Sequence, residues 1–250
     1  MRSLPLQIHD WERSGKAERR ELIARPAQQG MAGTLEDARS IIHQVRESGD
    51  RALRDLTERF DRARLDAVEA GPAEMDAAVE AIPAADREAL DRAIETVGRF
   101  HARQRSEPLV VETAPGVVCE RLELPIESVG LYVPAGSAPL PSTAIMLAEP
   151  ARIAGCRLRV LCTPPASDGH ADPAVLYVAR RCGVHRVFKL GGAQAIAALA
   201  YGTESVPRVD KIFGPGNAWV TAAKQLVSLD PEGAACDLPA GPSEVLVIAD

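Results

Sequence analysis

From residue 34 to about residue 105, apolar positions recur three and four apart, the spacing of one face of a helix. Leu35, Ala38, Ile41, Ile42 and Val45 form such a stripe, which Thr34 can cap and Gly49 can end. Asp50 then opens a second helix, with Leu53, Leu56 and Phe60 on one face. Pro72 and Pro83 stand where a first helical position tolerates proline. The stretch Pro83–Arg105 repeats the spacing with Leu90, Ile94, Val97 and His101. The pattern predicts a helical region with a polar outer face. Nothing in it suggests chemistry.

Beyond residue 108 the texture changes to short apolar, β-branched runs alternating with helical segments. Strands are expected at Val117–Leu124, Val129–Pro134, Leu158–Thr163, Arg186–Leu190, Lys211–Phe213 and Val245–Ile248. Helices are expected at Thr143–Ala154, Pro173–Cys182, Ala193–Ala200 and Ala218–Ser228. This rhythm predicts an α/β fold, a mostly parallel sheet with helices on both faces. Three regions follow: a helical one over 1–107, a Rossmann-like nucleotide-binding unit over 108–240, and the start of a further α/β unit over 241–250. The nearly continuous apolarity of Val245–Ile248 suits a central strand, so an interruption rather than a natural end is expected at Asp250.

Composition narrows the classes of function. The chain has 250 residues, 29 basic and 35 acidic, for a net charge of −6. Both signs are interspersed, which argues against a basic face for nucleic acid or for an anionic membrane. No run approaches the length of a membrane span, and the N-terminal residues have no apolar core of a leader peptide. The five cysteines, Cys119, Cys156, Cys162, Cys182 and Cys236, include no C-x-x-C pair. Reduced thiols in a cytoplasmic protein are the expectation.

Four glycine- or proline-rich turns stand next to strand or helix ends: Tyr132–Pro139, Gly191–Gln194, Gly214–Asn217 and Pro239–Glu244. Open α/β sheets bind ligands at the carboxyl ends of their strands, where such turns cluster. Gly191-Gly192 and Gly214-Pro215-Gly216 each precede a helix whose first N–H groups favour an anion. Singly, each turn is explained by backbone freedom; four together favour a nucleotide site. The G-x-G-x-x-G fingerprint is absent, because Trp219 stands where its third small residue belongs. No P-loop occurs. Gln194, Asn217 and Ser243 offer short neutral heads that donate and accept, and Tyr132 offers a ring and a hydroxyl. Taken singly, Asn217 and Ser243 are better explained by helix capping. His9, His43, His101, His170 and His185 show no metal-ligand spacing. No general base stands out. Only Glu149, Asp210, Asp237 and Glu244 lie outside charged helical faces.

Longer blocks carry a resemblance. Val187–Pro207, Val209–Asn217, Asp237–Asp250 and Ser128–Leu140 resemble the histidinol dehydrogenase family, densely from about Pro115 and more loosely from about Arg25. The resemblance implies an aldehyde/histidinol dehydrogenase-like fold, incomplete at its C-terminus. It implies an NAD-dependent, zinc-requiring oxidoreductase that converts L-histidinol to L-histidine, through L-histidinal, in two hydride transfers. It further implies that Tyr132, Gln194 and Asn217 contact NAD and that Ser243 contacts the substrate. In the family, a Q-x-x-H segment, a Glu-His pair, a G-D-Y segment and a C-terminal histidine supply zinc ligands and acid/base groups. All of these would lie beyond Asp250. No catalytic or metal-binding residue is therefore expected within the chain, and it is expected to be inactive by itself. The family forms homodimers; the state of this chain is left open. Ala135 and Cys236 depart mildly from the family, which more often has glycine and an aliphatic residue there. Two rivals remain open: a stand-alone nucleotide-binding or interaction module, and an aldehyde dehydrogenase-like enzyme using Cys119, Cys156 or Cys236 as nucleophile.

Overall fold

A computed structural model describes residues 8–23, 31–135 and 138–237. The chain divides into two compact units. One contains described residues 8–23, with the short helix α1 (Lys16–Leu22). The other, Ala32–Ala240, carries the sheet and the remaining helices.

Helix α2 (Met31–Asp61) is two helices joined at Gly49, whose φ of 50° and ψ of −133° break the spiral. The predicted stop at Gly49 and restart at Asp50 are thus both observed. Thr34, expected as the cap, lies inside the helix, which starts at Met31. Asp50 anchors the restart. Its Oδ1 accepts from Thr203 Oγ1 at 2.6 Å and from the Ser205 N–H at 3.2 Å, while its own N–H donates to Glu204 at 2.8 Å. Arg62, at φ 58°, ends the helix. Helix α3 (Pro72–Ala81) begins on its proline, as expected. Helix α4 (Ala84–Ala102) begins one residue after Pro83, which is its N-cap.

An antiparallel hairpin follows, β1 (Leu109–Ala114) and β2 (Val117–Arg121), every residue exposed. Strand β1 was not foreseen, and β2 ends before Leu124. A ribbon with neither face buried has no burial alternation to display. The main sheet comprises β3 (Ser128–Tyr132), β4 (Leu158–Thr163), β5 (Arg186–Lys189), β6 (Lys211–Phe213) and β7 (Ala235–Cys236). Between them run α5 (Pro141–Ala154), α6 (Pro173–Arg181), α7 (Gly192–Tyr201) and α8 (Ala218–Leu229). All pairings are parallel, in the order β5-β4-β3-β6-β7. The expected α/β class and helices on both faces are observed. The two-residue β7 was too short to predict, and Val245–Ile248 lies outside the described residues.

The two faces are separate cores. On one, Tyr132, Val160, Cys162, Phe188 and Ile212 pack with α7, α8 and the apolar stripe of α2, including Ala38, Val45, Leu53 and Leu56. On the other, Val129, Leu131, Leu161 and Val187 pack with α5, α6 and Ala78 of α3. Alternate strand residues serve opposite faces, as a doubly covered sheet requires. The edge at β5 is covered by the segment after α2. Lys189 N–H donates to Val68 O at 2.7 Å, and Ala70 N–H donates to Val187 O at 2.9 Å.

Gly130, in β3, lets α7 approach. A Cβ there would stand 3.0 Å from Leu199 Cδ1 and 3.1 Å from Val209 Cγ2. Gly130→Val should therefore overpack this face and cost roughly 1–3 kcal/mol, measurable by urea denaturation. An unchanged midpoint would mean that α7 does not rest on β3.

Candidate functional site

The strand order reverses around β3. From it the chain goes first to β4 and β5 on one side, then crosses to β6 and β7 on the other. In such sheets the crevice at the carboxyl end of the reversal is where ligands bind. Tyr132 ends β3 at this point, and the turn after β6 passes directly over it. A Cβ on Gly214 would stand 2.1 Å from the Tyr132 carbonyl oxygen, and Gly214 has φ 131°. Glycine is required there on both counts. The Gly214 N–H donates to Asp237 Oδ2 at 2.8 Å, and Lys224 Nζ donates to Gly214 O at 2.7 Å while pairing with Asp237. The turn is clamped.

Asn217 caps α8, its Oδ1 accepting the Val220 N–H at 3.1 Å. Thr221 N–H bonds to Asn217 O at 2.9 Å. The N–H groups of Ala218 and Trp219 have no acceptor among the described residues. This helix start is exposed and free of acidic side chains in its first turn.

The start of α7 differs. Gly191 is its N-cap and no side chain caps it. The Gly192 N–H donates to the Tyr132 hydroxyl at 3.0 Å. Tyr132 is buried, and burial pushes its phenol up to about 12, opposed by the Gly192 N–H and reinforced by Asp61. Its ring belongs to the core rather than to an open stacking surface. Gln194 is only 1% exposed, yet its amide makes no hydrogen bond with a described residue. Its Oε1 lies 2.8 Å from where a Cβ on Gly192 would stand. Tyr132 and Gln194 are thus brought together at Gly192. Asn217 lies on the turn that crosses β3 from the other side. Ser243 and Glu244 lie outside the described residues.

One residue escaped the sequence. Asp61, the last of α2, places Oδ1 3.3 Å from the Cβ position at Gly191, while its Oδ2 is shut off from solvent without a partner. Burial pushes its carboxyl up to about 6. Its neighbours Arg59, Phe60, Arg62 and Arg64 make it look like part of a charged surface. The signal was its position, at the end of a periodic stripe that points inward. The three other carboxylates that stood out are structural. Glu149 pairs with Arg152 at 2.6 Å, Asp210 accepts from Ser128 N at 2.9 Å and Oγ at 2.6 Å, and Asp237 holds Lys224.

Burial raises the thiols of Cys156, Cys182 (to about 12) and Cys236 (to about 11), and raises Cys162 further. A nucleophilic cysteine needs the opposite shift. Cys119 sits on the exposed hairpin. Among the described residues no three of His, Cys, Asp or Glu cluster as metal ligands, and no helix is long and apolar enough to cross a membrane. A groove of about 950 Å³ opens elsewhere, between the end of α4, α5 and Arg121–Ile126. Its floor is apolar and its charged groups are exposed at the rim, so volume alone does not mark the chemistry.

Fold and turns together define a Rossmann-type α/β protein, a class that takes ligands at this reversal of strand order. Residues 24–250 match the family model described as histidinol dehydrogenase. A histidinol dehydrogenase of Xanthomonas axonopodis pv. citri is 56% identical over 98% of the chain, which covers 57% of that relative. One from Photobacterium profundum is 52% identical, over 96% of the chain and 53% of the relative. The crystal structure of histidinol dehydrogenase from Elizabethkingia anophelis superposes with a TM-score of 0.82 at 40% identity, over 92% of this chain and 52% of that one. The chain belongs to the histidinol dehydrogenase family, and spans little more than half the length of these relatives.

Asp61 makes a testable electrostatic statement. Its folded pKa lies above the roughly 3.9 of an unfolded aspartate, so the folded state holds the proton more tightly. The stability this confers is complete below about pH 4 and is lost as pH rises through about 6. Asp61→Asn should accordingly melt a few degrees above the parent near pH 7.5, with the gap closing below about pH 4. A gap that does not change with pH would show that the carboxylate is solvated.

Proposed function

We propose that the chain forms the NAD-binding part of a histidinol dehydrogenase, an oxidoreductase that takes L-histidinol through L-histidinal to L-histidine in two hydride transfers. Residues 108–240 are its nucleotide-binding unit, residues 1–107 its helical region, and residues 241–250 begin a further α/β unit. The carrying observation is the convergence of β3, the α7 turn and the β6–α8 turn on one crevice. The crevice offers what a dinucleotide needs. It has two glycine turns of close backbone approach, open N–H groups at two helix starts, and a buried amide without a partner.

NAD, when bound, supplies the hydride acceptor. The chain's own residues bind and orient it. The open N–H groups of Ala218 and Trp219, with the α8 dipole behind them, suit the pyrophosphate. Asn217 keeps that helix start in shape by its cap. Gln194 and the Tyr132 hydroxyl line the crevice beside Gly192. Ser243 is proposed to contact the substrate. Zinc belongs to the same proposal for the whole enzyme. Among the described residues no group of three His, Cys, Asp or Glu is placed to hold it. The enzyme is proposed to act in the cytoplasm as a homodimer, without nucleic-acid or membrane partners.

Asn217 separates capping from binding. Asn217→Asp keeps a good cap but sets a negative charge beside the proposed pyrophosphate. It should leave the melting temperature nearly unchanged and weaken NAD binding about tenfold or more, a loss of roughly 1.4 kcal/mol, by isothermal titration calorimetry. Asn217→Ala should instead cost about 1 kcal/mol of stability. Unaltered NAD affinity in Asn217→Asp would move the pyrophosphate away from α8. The polypeptide of residues 1–250, given L-histidinol, zinc and NAD, should bind NAD without steady NADH formation. Sustained turnover would refute the absence of catalytic residues from it.

A further inference from the structure

We propose that Asp61 recognises a vicinal diol of a nucleotide ribose, at a subsite formed with Gln194 and the first turn of α7; this rests on the NAD reading above. Four observations meet at that place. Asp61 Oδ1 stands beside Gly191, and Oδ2 is enclosed with no partner. Thr57, one helical turn earlier on the same face of α2, is fully buried, and its hydroxyl also lacks a partner. Gln194 is buried without a hydrogen bond. The N–H groups of Ala193 and Gln194 have no acceptor among the described residues, since the helix bonds resume only with Ala195 to Gly191 O at 3.3 Å.

Buried polar groups are normally satisfied, so this cluster describes its missing partner. The partner must give protons to a carboxylate and accept from an amide and N–H groups, while carrying no negative charge. A phosphate fails, because Asp61 repels it and Tyr132 already occupies the Gly192 N–H. A metal ion fails, because among the described residues no group of three His, Cys, Asp or Glu stands around the carboxylate. Two adjacent hydroxyls fit: both donate to one carboxylate, and their lone pairs accept from the helix start. The two helix starts then divide the dinucleotide, anion at α8 and diol at α7.

The test titrates the 1–250 polypeptide, by calorimetry, with NAD and with two analogues. One lacks both hydroxyls of the adenosine ribose and the other lacks both hydroxyls of the nicotinamide ribose. Against the parent, one analogue should bind about tenfold or more weakly than NAD, the loss of a charge-assisted hydrogen bond. Asp61→Asn should weaken NAD by a similar factor yet bind that same analogue as the parent does, which also names the ribose concerned. Parent affinity for NAD should fall below about pH 6 and that of Asp61→Asn should not. The inference is overturned if Asp61→Asn leaves NAD affinity unchanged, or weakens NAD and both analogues alike. If Gln194→Ala and Asn217→Asp weaken NAD while Asp61→Asn does not, this inference alone fails. If the parent does not bind NAD, or none of the three variants alters its affinity, the NAD reading fails with it.

Discussion

Strand β3 has parallel neighbours on both sides, and the crossovers that supply them leave in opposite directions. Everything at the candidate site depends on that arrangement. The helix after β5 must pass back over the sheet to reach β6, and it can do so closely because β3 presents Gly130 to Leu199 of α7. The turn leaving β6 must then cross the end of β3, where only Gly214 fits above the Tyr132 carbonyl. A parallel sheet buried on both faces leaves its strand ends as the only open backbone. The reversal decides which of those ends face a gap.

The helical region before the sheet is part of the same machinery. The stripe of α2 shares one core with Phe188, Leu190 and the alanine-rich face of α7. That packing fixes the C-terminal turn of α2 beside the N-terminal turn of α7. The Tyr132 hydroxyl links α7 to β3. Three elements distant in sequence are therefore held against one another by apolar contact and by the hydrogen bond between Gly192 and the Tyr132 hydroxyl. Rigid elements hold a polar constellation more tightly than loops do.

Much of the fold was legible because burial leaves a periodic trace. Leu158–Thr163 and Lys211–Phe213 are strands at the expected limits, and Gly49 and Pro72 break and start helices as their chemistry dictates. The misses have physical causes. The hairpin strand Leu109–Ala114 buries neither face, and β7 is only two residues. Thr34 is as good a cap in isolation as in company, and local sequence did not show that α2 starts at Met31. At the site, glycine turns were visible as motifs, and Asn217 does cap its helix. The burial of Gln194 was not visible, nor was the partner of the Tyr132 hydroxyl, Gly192, which stands 60 residues further along. Asp61 was hidden by its charged neighbours.

Two aspartates of α2 show why that last miss matters. Asp50 is buried, and burial alone would raise its pKa. Hydrogen bonds from Ser205 and Thr203 outweigh this and hold it below the ordinary carboxylate range. That is how a structural aspartate is kept: its oxygens are occupied, and removing it would strip a loop of its anchor. Asp61, eleven residues further along the same helix, has no such company, and burial raises it instead. A fold that can satisfy Asp50 so thoroughly could satisfy or omit Asp61. A neutral side chain at that position would remove the cost of burying the charge. An enclosed, unpaired carboxylate persists when its partner arrives from outside the chain. The contrast between the two residues, one satisfied by the protein and one left open, is what the proposed diol subsite at the α7 end of the crevice would explain.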